Sequence, residues 1–86
     1  MLIVSFKASF LRQMNKLSED LQEETIEKIG LFKDTRNHQL LKVHKLHGPL
    51  AGAYSFSVNY KTRIVFEHVS KTEVALLSIG DHDIYN

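Results

Sequence analysis

Apolar and polar residues alternate through two stretches late in the chain, around Tyr54-Ser55-Phe56-Ser57-Val58 and Arg63-Ile64-Val65-Phe66-Glu67. A period of two is the mark of a half-buried strand, with one face in a core and one face free. The pattern predicts a strand over 53–59 with Tyr54, Phe56 and Val58 on the core side. A second strand over 62–69 follows, with Ile64 and Phe66 inward, after a turn at Asn59-Tyr60-Lys61. Ser70-Lys71-Thr72 turns the chain again. Residues 73–79 (EVALLSI) are almost continuously apolar, which suits a strand covered on both faces.

The first half has other periods. Residues 2–6 (LIVSF) are short, apolar and β-branched, and predict a strand. Phe10, Met14 and Leu17 fall at i, i+4 and i+7, one apolar stripe on a helix over 8–17. Ser18 is a favourable N-cap for a second helix over 18–34, with Leu17 placed to staple its entry. Leu21, Thr25, Ile29 and Phe32 repeat on one face of that helix, with Ile26 beside them. Its early acidic residues complement the positive end of the helix dipole. The two helices are expected to form an antiparallel hairpin. Residues 35–41 read as a connection with room for one helical turn, and 42–46 as the start of a strand. The segment 47–52 (HGPLAG) reads as a loop punctuated by Gly and Pro.

A strand, a helical hairpin and a three-stranded antiparallel meander make an α+β domain. The helices should cover one face of a twisted sheet and leave the other open. That open face is expected to carry Ser55, Ser57 and Arg63, with His47 ahead of the meander and His82 and Tyr85 after it. A cation, two histidines and a tyrosine gathered on one sheet suit an anionic substrate.

Composition narrows this picture. Eighty-six residues make one small domain, 1–86, with a modest core. A hydrophobic fraction of 43% argues against disorder. There is no cysteine, which excludes disulfides and thiolate metal sites and fits a reducing, cytoplasmic setting. The N-terminal apolar run has no basic region before it, unlike a signal peptide. No apolar stretch reaches the ~18 residues that span a bilayer. His44 and His47 lie three apart, which on a strand sends them to opposite faces, so neither a metal nor another cofactor is expected. The formal net charge of +1 hides an asymmetry. Glu19, Asp20, Glu23, Glu24 and Glu27 make one acidic helix, whereas residues 33–71 are predominantly basic.

The segments HGPLAGAYSFSV, YKTRIVFEH and LLSIGDHDIY, in that order and spacing, resemble the RelE/ParE superfamily of toxins from bacterial toxin–antitoxin pairs. The likeness spans essentially the whole chain. HGPLAG is most similar to the YafQ-like and HigB-like branches. The resemblance implies a cytoplasmic endoribonuclease that cuts mRNA, usually on the ribosome, without a metal, and that a cognate antitoxin holds inactive. It implies Arg63 as the phosphate clamp, His82 as an acid or base, and His47 as the loop histidine. It makes Tyr85 the terminal aromatic that stacks on a base or orients the phosphate. Ser55, Ser57 and Lys61 would contact substrate. The first two stand where some relatives carry strand lysines. Two alternatives share the fold: a ParE-like inhibitor of DNA gyrase, and a degenerate antitoxin-binding protein without nuclease activity. The pair of histidines around Arg63 favours the nuclease, because a gyrase poison needs no acid–base groups.

Overall fold

Ser18 opens the second helix. Its hydroxyl accepts from Leu21 N at 3.3 Å, which satisfies one of the free N–H groups of the helix that follows. The computed structural model, which describes residues 1–81, thus runs from β1 (Ile3–Phe6) through α1 (Ala8–Asn15) to α2 (Glu19–Phe32). A 3₁₀ turn at Thr35–Asn37 is the single helical turn expected in the connection. Then come β2 (His44–Lys45), a 3₁₀ turn at Gly48–Leu50, β3 (Tyr54–Ser57), β4 (Arg63–His68) and β5 (Glu73–Gly80).

The meander forms, and it is the centre of a larger sheet. The strand order is β1-β5-β4-β3-β2. β2, β3, β4 and β5 pair antiparallel in sequence, whereas β1 pairs parallel to β5, with Ile3 opposite Glu73 and Phe6 opposite Leu76. This explains the apolar β5: it lies between β1 and β4, and Val74, Ala75, Leu76 and Ile79 are all buried. A bulge between Val65 and Phe66 shifts the β4–β5 register. Where β1 has ended, α1 serves the backbone of β5. Ser9 Oγ donates to Leu77 O at 2.6 Å, and Gln13 Oε1 accepts from Ile79 N at 2.9 Å.

The core lies between the helices and one sheet face. Phe10 of α1 with Ile29 and Phe32 of α2 packs on Phe56, Ile64, Phe66, Val74 and Leu76. Phe32 is its hub. Its ring stacks on Phe56, with centroids 4.2 Å apart and planes 7° apart, and meets Phe66 edge-on at 4.8 Å. His38 also stacks on Phe32, at 4.8 Å, and its Nε2 lies 2.8 Å from Phe32 O. That histidine belongs to the packing rather than the surface.

Two expectations are corrected. Ile26 is 63% exposed and takes no part in the core stripe that Thr25, Ile29 and Phe32 form. It lies with Phe6, Leu11 and Met14 along an open apolar cleft of about 390 Å3 between α1 and α2. Ser55, expected on the free face, is completely buried. Val65 and Ala75 are buried too, so the centre of the second sheet face is covered. Among the described residues, no helix is long and apolar enough to cross a membrane.

Candidate functional site

Strand register assembles the site. β2 and β3 set His44 opposite Ser55, and β3 and β4 set Ser57 opposite Arg63. Opposed residues share a face, and every second residue along a strand returns to it. His44, Ser55, Ser57 and Arg63 therefore stand on the sheet face away from Phe56 and Ile64. β5 adds Gly80 directly beside Arg63.

The turn between β3 and β4 holds Arg63 in place. Asn59 Oδ1 accepts from Lys61 N at 2.9 Å and from Thr62 N at 2.8 Å, which closes the turn. Asn59 Nδ2 donates to Glu24 Oε1 at 2.9 Å and ties the turn to α2. Arg63 Nη1 then donates to Asn59 O at 2.7 Å, to Tyr60 O at 3.0 Å and to Thr62 O at 3.3 Å. These bonds fix the guanidinium at one nitrogen. Among the described residues it has no salt bridge, so its charge is not neutralised by a carboxylate. A half-buried guanidinium with no carboxylate partner among the described residues, and with its bonds to the turn all at Nη1, has donors left that suit a phosphate.

His44 is the functional candidate that sequence reasoning passed over. Its Nδ1 lies 2.8 Å from Lys42 O, and its Nε2 lies 3.4 Å from Ser55 Oγ. A carbonyl only accepts, so the Lys42 bond assigns the proton of the neutral ring to Nδ1. Nε2 is then unprotonated and faces the Ser55 hydroxyl as an acceptor, and an unprotonated ring nitrogen is the form a general base requires. The signal was present in the sequence. His44 falls in phase with Ser55 and Arg63 once β2 is paired, but a two-residue strand cannot reveal its own phase.

The other expected residues are placed as follows. Ser57 is half-buried and is the register partner of Arg63. Lys61 is exposed in the turn that Arg63 caps. His47 is exposed in the loop after β2, immediately before the Gly48–Leu50 turn, and register does not bring it onto the sheet face. Ser55 is on the face but buried, and offers no free surface to a substrate. His82 and Tyr85 lie outside the described residues. Gly80, two positions before His82 in the chain, is the β5 residue beside Arg63.

No family model and no curated protein matches the sequence. Solved structures do share the fold. A chain of the toxin–antitoxin complex RelBE2 from Mycobacterium tuberculosis superposes with a TM-score of 0.73 at 22% identity, covering 94% of this chain and 98% of that one. A YafQ mutant from E. coli gives 0.71 at 10% identity, over 98% and 97% of the two chains. A chain of the YoeB–YefM complex from Staphylococcus aureus gives 0.69 at 22% identity, over 95% and 98%. At these identities the likeness is one of fold, and the fold is the RelE-like α+β arrangement.

Proposed function

We propose that this chain is the toxin of a toxin–antitoxin pair and a metal-independent endoribonuclease that cuts mRNA in the cytoplasm, in the manner of the RelE/ParE superfamily. The observation that carries the reading is the sheet face itself: an arginine without a carboxylate partner among the described residues, on the same face as a histidine whose unprotonated Nε2 lies beside the hydroxyl of Ser55. The shared fold with toxin–antitoxin structures supports it.

The reaction is an in-line attack of a ribose 2′-hydroxyl on the adjacent phosphate. The 2′-O–P bond forms as the P–O5′ bond breaks, leaving a 2′,3′-cyclic phosphate and a 5′-hydroxyl. A histidine takes the 2′-proton, and a second group returns a proton to the departing 5′-oxygen. His44, His47 and His82 supply the acid and base, and Tyr85 orients the phosphate or stacks on a base. Arg63 stabilises the charge that builds on the phosphorane. Ser57 and Lys61, on either side of Arg63, hold the backbone of the substrate.

The antitoxin is the second partner. The open apolar cleft along α1 and α2, with Phe6, Leu11 and Ile26 in water, supports that half of the reading, since such side chains gather at surfaces that meet a partner.

The test is cleavage of mRNA in a ribosome-containing extract with EDTA present. Products should end in a 2′,3′-cyclic phosphate, and an RNA with a 2′-deoxy residue at the cut site should resist. Toxicity with intact mRNA and gyrase-linked DNA breaks would replace this reading with the gyrase one.

A further inference from the structure

A second cleft, of about 410 Å3, opens beside the β3–β4 turn on the side of α2. This volume is within the range of about 300–1,000 Å3 for pockets that take a small organic ligand. Among the described residues its walls carry three cations, Lys28, Lys42 and Arg63, and no acidic residue. The apolar part comes from Leu31, Leu41 and Val58. Tyr60 stands at its edge, 87% exposed.

None of the three cations is in a salt bridge among the described residues. Among the described residues the one salt bridge is Arg36 with Asp34, elsewhere on the chain. Glu24, one helical turn before Lys28, is engaged with Asn59. Glu27 belongs instead to the acidic helix face that it shares with Ser18 and Glu23.

Lys42 has a second peculiarity. Its φ is +59°, in the left-handed region where a side chain is strained and glycine is at ease. The backbone is held there from both sides: Lys42 N donates to Gln39 O at 3.1 Å, and His44 Nδ1 donates to Lys42 O at 2.8 Å. A lysine thus occupies a position whose backbone favours glycine, with its side chain on the cleft. Strain of this kind is found where a side chain has a task.

Cations beside an aromatic ring left in water are the elements that bind single-stranded nucleic acid. The charges track the phosphates, and the ring stacks on a base. We propose that this cleft is a nucleotide subsite for single-stranded RNA: Lys28 and Lys42 hold a phosphate, and Tyr60 stacks on a base. Arg63 lines both the cleft and the sheet face, so the subsite receives the nucleotide next to the one at Arg63. The inference rests on the nuclease reading for its choice of polymer. The bare ring and the run into Arg63 favour RNA over an acidic peptide.

The experiment measures binding of the full chain to a short 2′-O-methyl oligoribonucleotide, which lacks the attacking hydroxyl, by fluorescence anisotropy across a salt series. Lys28→Gln combined with Lys42→Gly should weaken binding at low salt about tenfold or more and flatten the salt dependence by about 1.4 in log–log slope. Glycine at 42 suits the backbone, so the fold should persist, as circular dichroism would verify. Tyr60→Ala should weaken binding about tenfold with the salt slope unchanged, and Tyr60→Phe should restore it.

Wild-type affinity and slope in these variants would overturn the subsite, as would failure of the wild-type chain to bind the oligonucleotide at low salt. An acidic peptide whose binding the lysine substitutions abolish, with RNA binding intact, would overturn it too. The nuclease reading is judged separately, by the cleavage products. Cyclic phosphate ends from wild type, with full RNA affinity in the variants, would remove the subsite alone.

Discussion

His44 and Ser55 face each other across β2 and β3, with Nε2 and Oγ 3.4 Å apart, on the same sheet face as Arg63. The Lys42 carbonyl keeps the proton of the neutral ring on the far nitrogen, so the near one is the basic one. Replacing His44 by Ala should slow RNA cleavage by about 10²–10⁴ if it acts as the base. His44→Gln should not rescue, because an amide has no group that titrates near neutrality. The check is a single-turnover pH profile. Loss of its lower limb is expected in the variant, and an unchanged profile would remove His44 from the mechanism.

Arg63 holds the turn through Nη1 alone, and the proposed mechanism uses its other nitrogens for the phosphate. Arg63→Lys keeps a charge but loses the fork that bridges carbonyls and phosphate. Cleavage should fall by about 10²–10³, the usual effect of removing one donor to a developing oxyanion. Stability should drop by about 1 kcal/mol, the net worth of an ordinary hydrogen bond. Chemical denaturation and a cleavage assay on the same sample separate the two effects. A variant that cleaves normally would show that Arg63 is only a turn residue.

Thr25 lies in α2 with its face to the core, fully buried, and its Oγ1 has no hydrogen-bond partner. An orphaned buried hydroxyl costs about 1–3 kcal/mol. Thr25→Val keeps the shape and removes the polar atom, so it should stabilise the protein by about 1 kcal/mol. A higher urea midpoint with an unchanged m-value is the expected reading. A lower midpoint would mean that the hydroxyl is satisfied in solution.

Asp34 caps the 3₁₀ turn at Thr35–Asn37. Hydrogen bonds from the Arg36 side chain, and then from the Arg36 backbone N–H, hold its carboxyl down to about 2. The folded value is below the unfolded one, so the carboxylate favours folding at neutral pH. This contribution should fade as pH falls from the unfolded range near 4 through about 2. Carbon-detected titration of Asp34 should give a midpoint near the lower figure, and Arg36→Ala should return it toward about 4. An unshifted midpoint in the wild type would contradict the pairing.

Local sequence determined the elements of this protein. The period-two runs at 54–58 and 63–67, the stripe through Thr25, Ile29 and Phe32, and the cap at Ser18 each depend on neighbours a few residues away. That is the range over which side-chain direction is fixed by backbone geometry. It was enough for the α+β order, for the helix-covered face and for Arg63 on the opposite one. Tertiary structure decided what depends on pairing between distant segments. The parallel docking of β1 against β5 joins residues about seventy positions apart, and no local pattern specifies that register. Burial of Ser55 follows from its place within the assembled sheet, although its phase along β3 is that of an outward residue. Exposure of Ile26 is a matter of helix rotation by one position, which the position of α2 against the sheet settles. His44 entered the site only through its pairing with Ser55, and Lys42 joined Lys28 and Tyr60 only because the connection after α2 folds back beside the β3–β4 turn. Elements follow from short-range sterics and alternation, whereas a site drawn from four segments depends on how their surfaces pack, which is a property of the whole fold.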